Sequence, residues 1–277
     1  MHALDLIAHW PVDRVDAAVV VVPVDGATRV DTRGDPRHSY RIASLSKPLA
    51  AWAALVAMEE GLVTLDQPIG QPGCTLRHLL AHAGGYSFDG VNPIKSPARK
   101  RIYSNTGIEL LAAHVGERAG VDFADYLREA VCDPLGLAST HLEGSAAKDV
   151  VSNVDDCARF MAELRRPRLL SRDTVRDMTN VQFPELEGVV PGLGRFDPCP
   201  WGLGPEIRGT KAPHWTAPHG SAATWGHFGG TGTFLWVDPV ADVACVMLSN
   251  REFTEWGMEY WPAFNDAVLA EARATRG

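Results

Sequence analysis

In the stretch YRIASLSKPLA, residues 40–50, Ser44 and Lys47 stand three residues apart. On a helix that spacing puts both side chains on one face. A lysine set among apolar neighbours loses hydration of its charged form, so its pKa falls and it can take a proton from a serine hydroxyl. If the helix begins at this point, its free N–H groups and partial positive charge suit a developing oxyanion. The competing assignment is a plain serine N-cap beside a surface lysine, and S-x-x-K alone is a weak pattern. Context favours chemistry: lysine is scarce in this chain, and this one borders a wholly apolar run.

Two further clusters carry chemistry-bearing residues. IYSNTG contains Tyr103 and Asn105. A phenol near an ammonium is favoured as phenolate and can share a base role, while Asn105 offers both a donor and an acceptor to the substrate's ester or amide. Without chemistry, the same residues make a half-buried tyrosine and a helix-capping turn. TWGHFGGTGTF contains Trp225, His227, Gly229 and Gly230. Glycines in an edge strand are costly unless something approaches the backbone closely. Such an edge can hold an extended substrate and give the Gly230 N–H as an oxyanion donor beside that of Ser44. A bulge packed on an aromatic is the structural alternative. Trp225, two residues before His227, is expected at the substrate strand, where alanine would change substrate preference more than stability.

These residues need elements to hold them. LAAWAALVAM at 49–58 is apolar on every face and predicts a helix buried on all sides, stopped by Gly61. Pro48 is tolerated near the start of that helix, where N–H groups lack intrahelical acceptors. Strands are predicted at 18–23 and 27–34, joined by a turn at Asp25-Gly26, with a third extended piece at 38–43. Helical periodicity marks a short segment at 75–86, then 106–120 and 122–137 with Thr106 and Asp122 as N-caps, and 155–165 and 171–178. Residues 181–220 are rich in Gly and Pro and predict loops with short strands. Two strong strands follow, with a tight turn at 239–242, and then a last helix at 256–274. Strands at both ends around a helical middle predict an α+β fold: one antiparallel sheet built from the two termini and covered by helices.

The totals exclude several classes. The chain has 277 residues, 45% apolar and 22% charged, with a formal net charge of −8. An acidic chain without a Lys/Arg run is a poor partner for nucleic acid. Its longest early apolar run, 17–24, is too short to span a bilayer and lacks a basic leader, so a cytoplasmic location is expected. Five dispersed cysteines without a C-x-x-C pair fit reduced, packed thiols. Nothing in the sequence sets an oligomeric state.

ASLSK, YSN and HFG occur in the order and rough spacing of the S-x-x-K, Y-x-N and K/H-x-G motifs, and so resemble the serine β-lactamase and penicillin-binding superfamily. The tyrosine form of the second motif resembles the class C branch, with its D-amino-acid peptidases and esterases. YRIASLSK, TLRHLLAHAGGY, LDQPI and DPVADVACVMLSN resemble further landmarks, so the likeness runs from about Ala17 to Asn250. It implies one catalytic domain over 1–277. Its α/β lobe would take roughly residues 1–60 and 200–277, with a helical lobe at roughly 61–199 and a cleft between them. It also implies no metal and no organic cofactor. Residue by residue, it makes Ser44 the nucleophile, with Lys47 and Tyr103 sharing general acid and base work. Asn105 and His227 would orient the substrate, and Gly229 and Gly230 would lie at the oxyanion strand.

Three departures shape the expected activity. H-x-G replaces K-T-G, and an imidazole holds a carboxylate less firmly than an ammonium does. The chain is compact for the branch. No export signal is evident, which argues against cell-wall peptides. The expectation is acyl transfer through Ser44 on a small-molecule acyl substrate. A carboxylesterase comes first, a D-amino-acid peptidase or amidase second and a weak β-lactamase third. A non-catalytic binding or scaffold protein on the same fold is the alternative of another class. An α/β-hydrolase is excluded, since no serine sits in G-x-S-x-G. His78 and His82, four apart, lack the glutamate of H-E-x-x-H. His214, Trp215 and His219 are expected near the cleft mouth.

Overall fold

The apolar run at 49–58 does form the central helix. It belongs to α1 (Ser46–Glu59) of the computed structural model, which describes residues 2–21 and 27–274. Every residue from Ser46 to Ala57 is buried. Full burial of Leu49, Leu55 and Val56 contributes about 1.5–3 kcal/mol each. The end of α1 is fixed by Gly61 at φ 77°, whose N–H reaches Met58 O while the Leu62 N–H reaches Ala57 O. That paired closure needs a left-handed residue, which glycine adopts without strain.

A short turn of 3-10 helix at Ala3–His9 precedes β1 (Val15–Val21), β2 (Arg29–Arg33) and β3 (Tyr40–Arg41). The turn expected at Asp25-Gly26 lies outside the described residues. After α1 come α2 (Leu76–Leu80), β4 (Arg101–Ile102), α3 (Asn105–Ala119), α4 (Phe123–Leu127), a π-helical stretch at Arg128–Cys132 and α5 (Asp133–Leu135). Next are β5 (His141–Leu142), β6 (Val150–Ser152), α6 (Val154–Arg165) and α7 (Arg172–Thr179). The chain closes with β7 (Gly188–Val190), β8 (Gly194–Phe196), β9 (Glu206–Ile207), β10 (Trp225–Gly229), β11 (Thr233–Asp238), β12 (Val243–Ser249) and α8 (Glu255–Ala274).

The main sheet has six antiparallel strands in the order β2-β1-β12-β11-β10-β9, so the two ends of the sequence pair in its middle. Alternation decides which face each residue takes. Ala18, Val20, Leu235, Val237, Val246 and Leu248 pack with α1 in one core. Their neighbours Ala17, Val19, Phe234, Trp236, Cys245 and Met247 pack with α8 in a second. The fold is α+β, as the segment order predicted. The tight turn after β11 is present too: Asp238 Oδ1 accepts from the Val240 and Ala241 N–H groups. Among the described residues no helix is long and apolar enough to cross a membrane.

Two local expectations are corrected. The N-cap of α3 is Ser104, not Thr106. Ser104 Oγ accepts from the Gly107 N–H at 3.0 Å, whereas Thr106 Oγ1 bonds the backbone of Gly90. Strand β10 is also not the outermost strand. β9 pairs with it, but only at Trp225 and Gly226, and the side facing away from β11 is open beyond that.

Candidate active site

Ser44 sits in a 3-10 turn, Ala43–Leu45, immediately ahead of α1. Ala43 has φ 47°, a left-handed conformation that a residue with a Cβ adopts only under constraint. The constraint comes from the sheet. Thr233 Oγ1 donates to Ile42 O at 3.0 Å. Gly229 lies so close that a Cβ there would meet Ile42 O at 2.7 Å. Gly229 is therefore glycine because β10 packs backbone to backbone against the turn that carries Ser44. Ser46, the second serine of the motif, is structural: its Oγ donates to Ala43 O and accepts from the Val150 N–H.

Lys47 is fully buried. Its Nζ lies 3.1 Å from Ser44 Oγ, 2.7 Å from Asn105 Oδ1 and 2.9 Å from Ala147 O. Burial pulls its pKa down to about 7, and only the more distant Glu109 and Asp89 oppose that. In the neutral amine two hydrogens remain, and Ala147 O and Asn105 Oδ1 can only accept. Both hydrogens are thereby committed, and the lone pair is left for the Ser44 hydroxyl. Asn105 is forced into one orientation, because its Nδ2 donates to Asp89 Oδ1 at 3.1 Å. Asn105, expected to orient substrate, holds Lys47 through Oδ1 and Asp89 through Nδ2 and does not line the cavity beside Ser44.

Tyr103 lies on the other side of Lys47, whose Nζ is 4.6 Å from the ring centroid. Its surroundings favour the neutral phenol over the phenolate. Burial pushes its pKa far above the ordinary phenol value, and the contact with Ser44 offsets only part of that. The expectation from a nearby ammonium fails because desolvation of the anion outweighs it. His227 is equally buried and held neutral, with its pKa pushed down to about 3 first by burial and then by Lys47. Its Nδ1 is 2.7 Å from Phe228 O, a pure acceptor, so Nδ1 carries the hydrogen. Nε2 is then a bare acceptor 3.4 Å from the Tyr103 hydroxyl.

These groups open onto a cavity of about 250 Å³. Ser44, Tyr103, His227 and Gly230 form its reactive side, and Phe88, Val190, Trp201, Phe228 and Phe253 its apolar walls. The Gly230 N–H has no acceptor among the described residues, while its carbonyl is held by the Phe253 N–H at 2.8 Å. No lysine or arginine lines this cavity, and its one carboxylate is Glu206. Burial raises the Glu206 carboxyl pKa, but Lys211 and His214 outweigh that and hold it well below the usual range. Lys211 Nζ is 3.0 Å and His214 Nε2 3.2 Å from Glu206 Oε1.

Some expected residues are elsewhere. Trp225 packs in the core around α1 and does not line the cavity. Its truncation to alanine is therefore a loss of core volume, costing about 3–5 kcal/mol. Trp215 and His214 are buried behind Glu206, and His219 is exposed beside Asp266. Trp201 and the Glu206–Lys211 pair escaped the sequence analysis, and His82, weighed there only as a metal ligand, is a neighbour of Tyr103. The His82 ring lies 4.6 Å from that of Tyr103, and its Nδ1 accepts from the Ser104 N–H. Opposite charges five residues apart in a Gly/Pro-rich stretch were the available signal for the buried pair.

The beta-lactamase family model matches residues 11–270. The chain belongs to the beta-lactamase family. Among solved structures, a beta-lactamase from Mycobacterium bovis is 46% identical, with a TM-score of 0.95 and coverage of 98% of this chain and 99% of that one. A D-amino acid amidase from Ochrobactrum anthropi SV3 shares the fold at 21% identity, with a TM-score of 0.76 over 99% of this chain and 97% of its own. Penicillin-binding protein 4* of Bacillus subtilis (strain 168) is 26% identical over 136 residues, 37% of this chain and 30% of that protein. The match thus spans under a third of that relative's length. This beta-lactamase-family chain has the fold of serine hydrolases and acyl-transfer enzymes.

Proposed function

We propose that this protein is a serine acyl-hydrolase that forms an acyl-enzyme at Ser44 from small esters whose acyl group is uncharged and apolar. The observation that carries this reading is the Lys47 amine, whose two hydrogens are taken by Ala147 O and Asn105 Oδ1 so that its lone pair meets Ser44. Ser44 Oγ gives its proton to Lys47 and bonds to the acyl carbon, whose oxygen becomes an anion between the Ser44 and Gly230 N–H groups. The carbon–alkoxide bond then breaks. Tyr103, a neutral phenol hydrogen-bonded toward His227, donates its proton to the departing oxygen and recovers one from the Lys47 ammonium. Water, deprotonated by the same amine, releases the acyl group and restores Ser44.

Esters rank above β-lactams because the cavity beside Ser44 carries no lysine or arginine to hold a carboxylate close to the reacting carbonyl, and His227 is neutral. A second reading, hydrolysis of aminoacyl amides, has the Glu206 carboxylate in its favour as a site for an ammonium. Lys211 already neutralises that charge, so the uncharged acyl group stands first.

Intact mass of wild type and Ser44→Ala after brief exposure to p-nitrophenyl propionate, and separately to a penicillin, tests the proposal. We expect a propionyl adduct on wild type alone, forming faster than any penicilloyl adduct. Folded wild type that neither labels nor turns over either reagent would make the chain a binding protein on the same fold.

A further inference from the structure

A second cavity, of about 380 Å³, adjoins the first and is used by no step above. The two share Phe88, Tyr103 and Pro191, but Ser44 and Gly230 line only the first. Beyond Tyr103 the second cavity is walled by Ile94, Ile102 and Val189. Phe88 is 49% exposed, Ile94 58% and Val189 46%, an unusual gathering of large apolar side chains left in water. Apolar surface clustered at the mouth of a polar site marks a place that a ligand covers.

Its charges differ from those of the Ser44 cavity. Lys95, Lys100 and Arg101 all line it. Arg101 is spent on structure, its guanidinium donating to the carbonyls of Ala81, Gln182, Phe183 and Cys199. Lys100 lies 3.5 Å from Glu187. Lys95 has no acidic partner among the described residues, yet its backbone is anchored: its carbonyl accepts from Gln71 Nε2 and its N–H donates to Gly85 O. A fixed backbone with an uncommitted ammonium at an apolar cavity suits an anion at the end of an apolar chain.

We propose that the second cavity holds the leaving-group half of the substrate, an apolar alcohol that ends in an anionic group met by Lys95. The proposal rests on the Ser44 acyl-hydrolase reading and assigns its direction. Tyr103 protonates the departing oxygen, so the alcohol lies against Tyr103, and the second cavity extends the space there without meeting Ser44. The cation-free cavity beside Ser44 takes the neutral acyl group, which leaves any negative charge on the alcohol. Bond changes are those already given: Ser44 Oγ gains the acyl carbon, the carbon–alkoxide bond breaks, and the Tyr103 proton leaves with the alcohol.

The test compares two esters with one acyl group, hexyl propionate and the propionate ester of 6-hydroxyhexanoate, by kcat/KM at pH 8 and low salt. Wild type should favour the carboxylate ester roughly fivefold, mostly through KM, as an exposed ion pair allows. The ratio should shrink toward one in about 0.5 M salt, where such pairs are screened, and fall below one in Lys95→Glu. Because each ratio is taken within one protein sample, partial misfolding of the variant cannot mimic the effect. A wild-type ratio of one or less, or a preference that survives Lys95→Glu, overturns the assignment. Turnover of p-nitrophenyl propionate that Ser44→Ala abolishes, with no such preference, defeats the leaving-group assignment alone. Absence of Ser44-dependent turnover defeats the acyl-hydrolase reading itself.

Discussion

Lys47 and Lys211 are both wholly buried, and each places its ammonium nitrogen near three oxygens. Two of the three are uncharged acceptors in both cases: Ala147 O and Asn105 Oδ1 for Lys47, Pro200 O and Ile207 O for Lys211. The third differs. Lys211 meets the Glu206 carboxylate, whereas Lys47 meets the hydroxyl of Ser44. A buried ammonium with a counter-charge is a structural ion pair, and one without becomes a poised base. One oxygen's charge therefore separates a scaffold from a reactive centre within the same protein.

The largest expected effect tests the reactive half of that contrast. Lys47→Met should lower kcat/KM on p-nitrophenyl propionate by about 10²–10⁴-fold, the range of a lost general base. The wild-type profile should rise with pH through about 7, as Lys47 gives up its proton. The phenol is raised rather than lowered, so no falling limb is expected from Tyr103 below the ordinary phenol range. A rise centred near pH 4–5 instead would name a carboxylate as the base and break the comparison.

Lys211→Met probes the structural half. It leaves Glu206 buried without its counter-charge, which should cost about 3–5 kcal/mol in denaturant unfolding at pH 7, and Lys211→Met with Glu206→Gln should recover part of that. The Glu206 pKa is depressed in the folded state, so its stabilisation is fully present above the unfolded carboxyl value of about 4.3. It fades as pH falls below that value. Equal stability losses in Lys47→Met and Lys211→Met would erase the distinction between the two lysines.

The smallest effect sharpens it. Glu109 raises the Lys47 pKa from a distance, so Glu109→Gln should lower that pKa and move the acid limb of the pH–rate profile downward by less than about one unit. The rate at pH 6 should rise while the plateau holds. A limb that moves upward would mean that Glu109 acts on Lys47 by some route other than its charge.

Much of the fold was legible because burial repeats along the chain. The all-apolar stretch of α1, the both-faces-buried run of β12 and the Asp238 turn are local patterns with local causes. The motif residues Ser44 and Lys47 were legible by spacing, and the structure brings them to 3.1 Å. Tyr103 was found, but the burial that favours its neutral phenol is not written in neighbouring residues. Asn105 was found without its contacts, since nothing local shows that Asp89 and Lys47 converge on its two amide atoms. Trp225 was misplaced because its burial in the core around α1 is a contact between segments far apart in the chain.

By itself the sequence determined the order of strands and helices, the buried helix behind the nucleophile and the residue types available for acyl transfer. Periodicity and spacing are properties of neighbours, and neighbours are what a sequence records. Tertiary structure alone decided the charge state of those residues. Lys47 owes its lowered pKa to burial, and its orientation to acceptors 58 and 100 residues away. Lys211 owes its ion pair to a strand that the main sheet holds in place. Electrostatic energies depend on distance through space and on excluded water, and both are set only when the chain has folded.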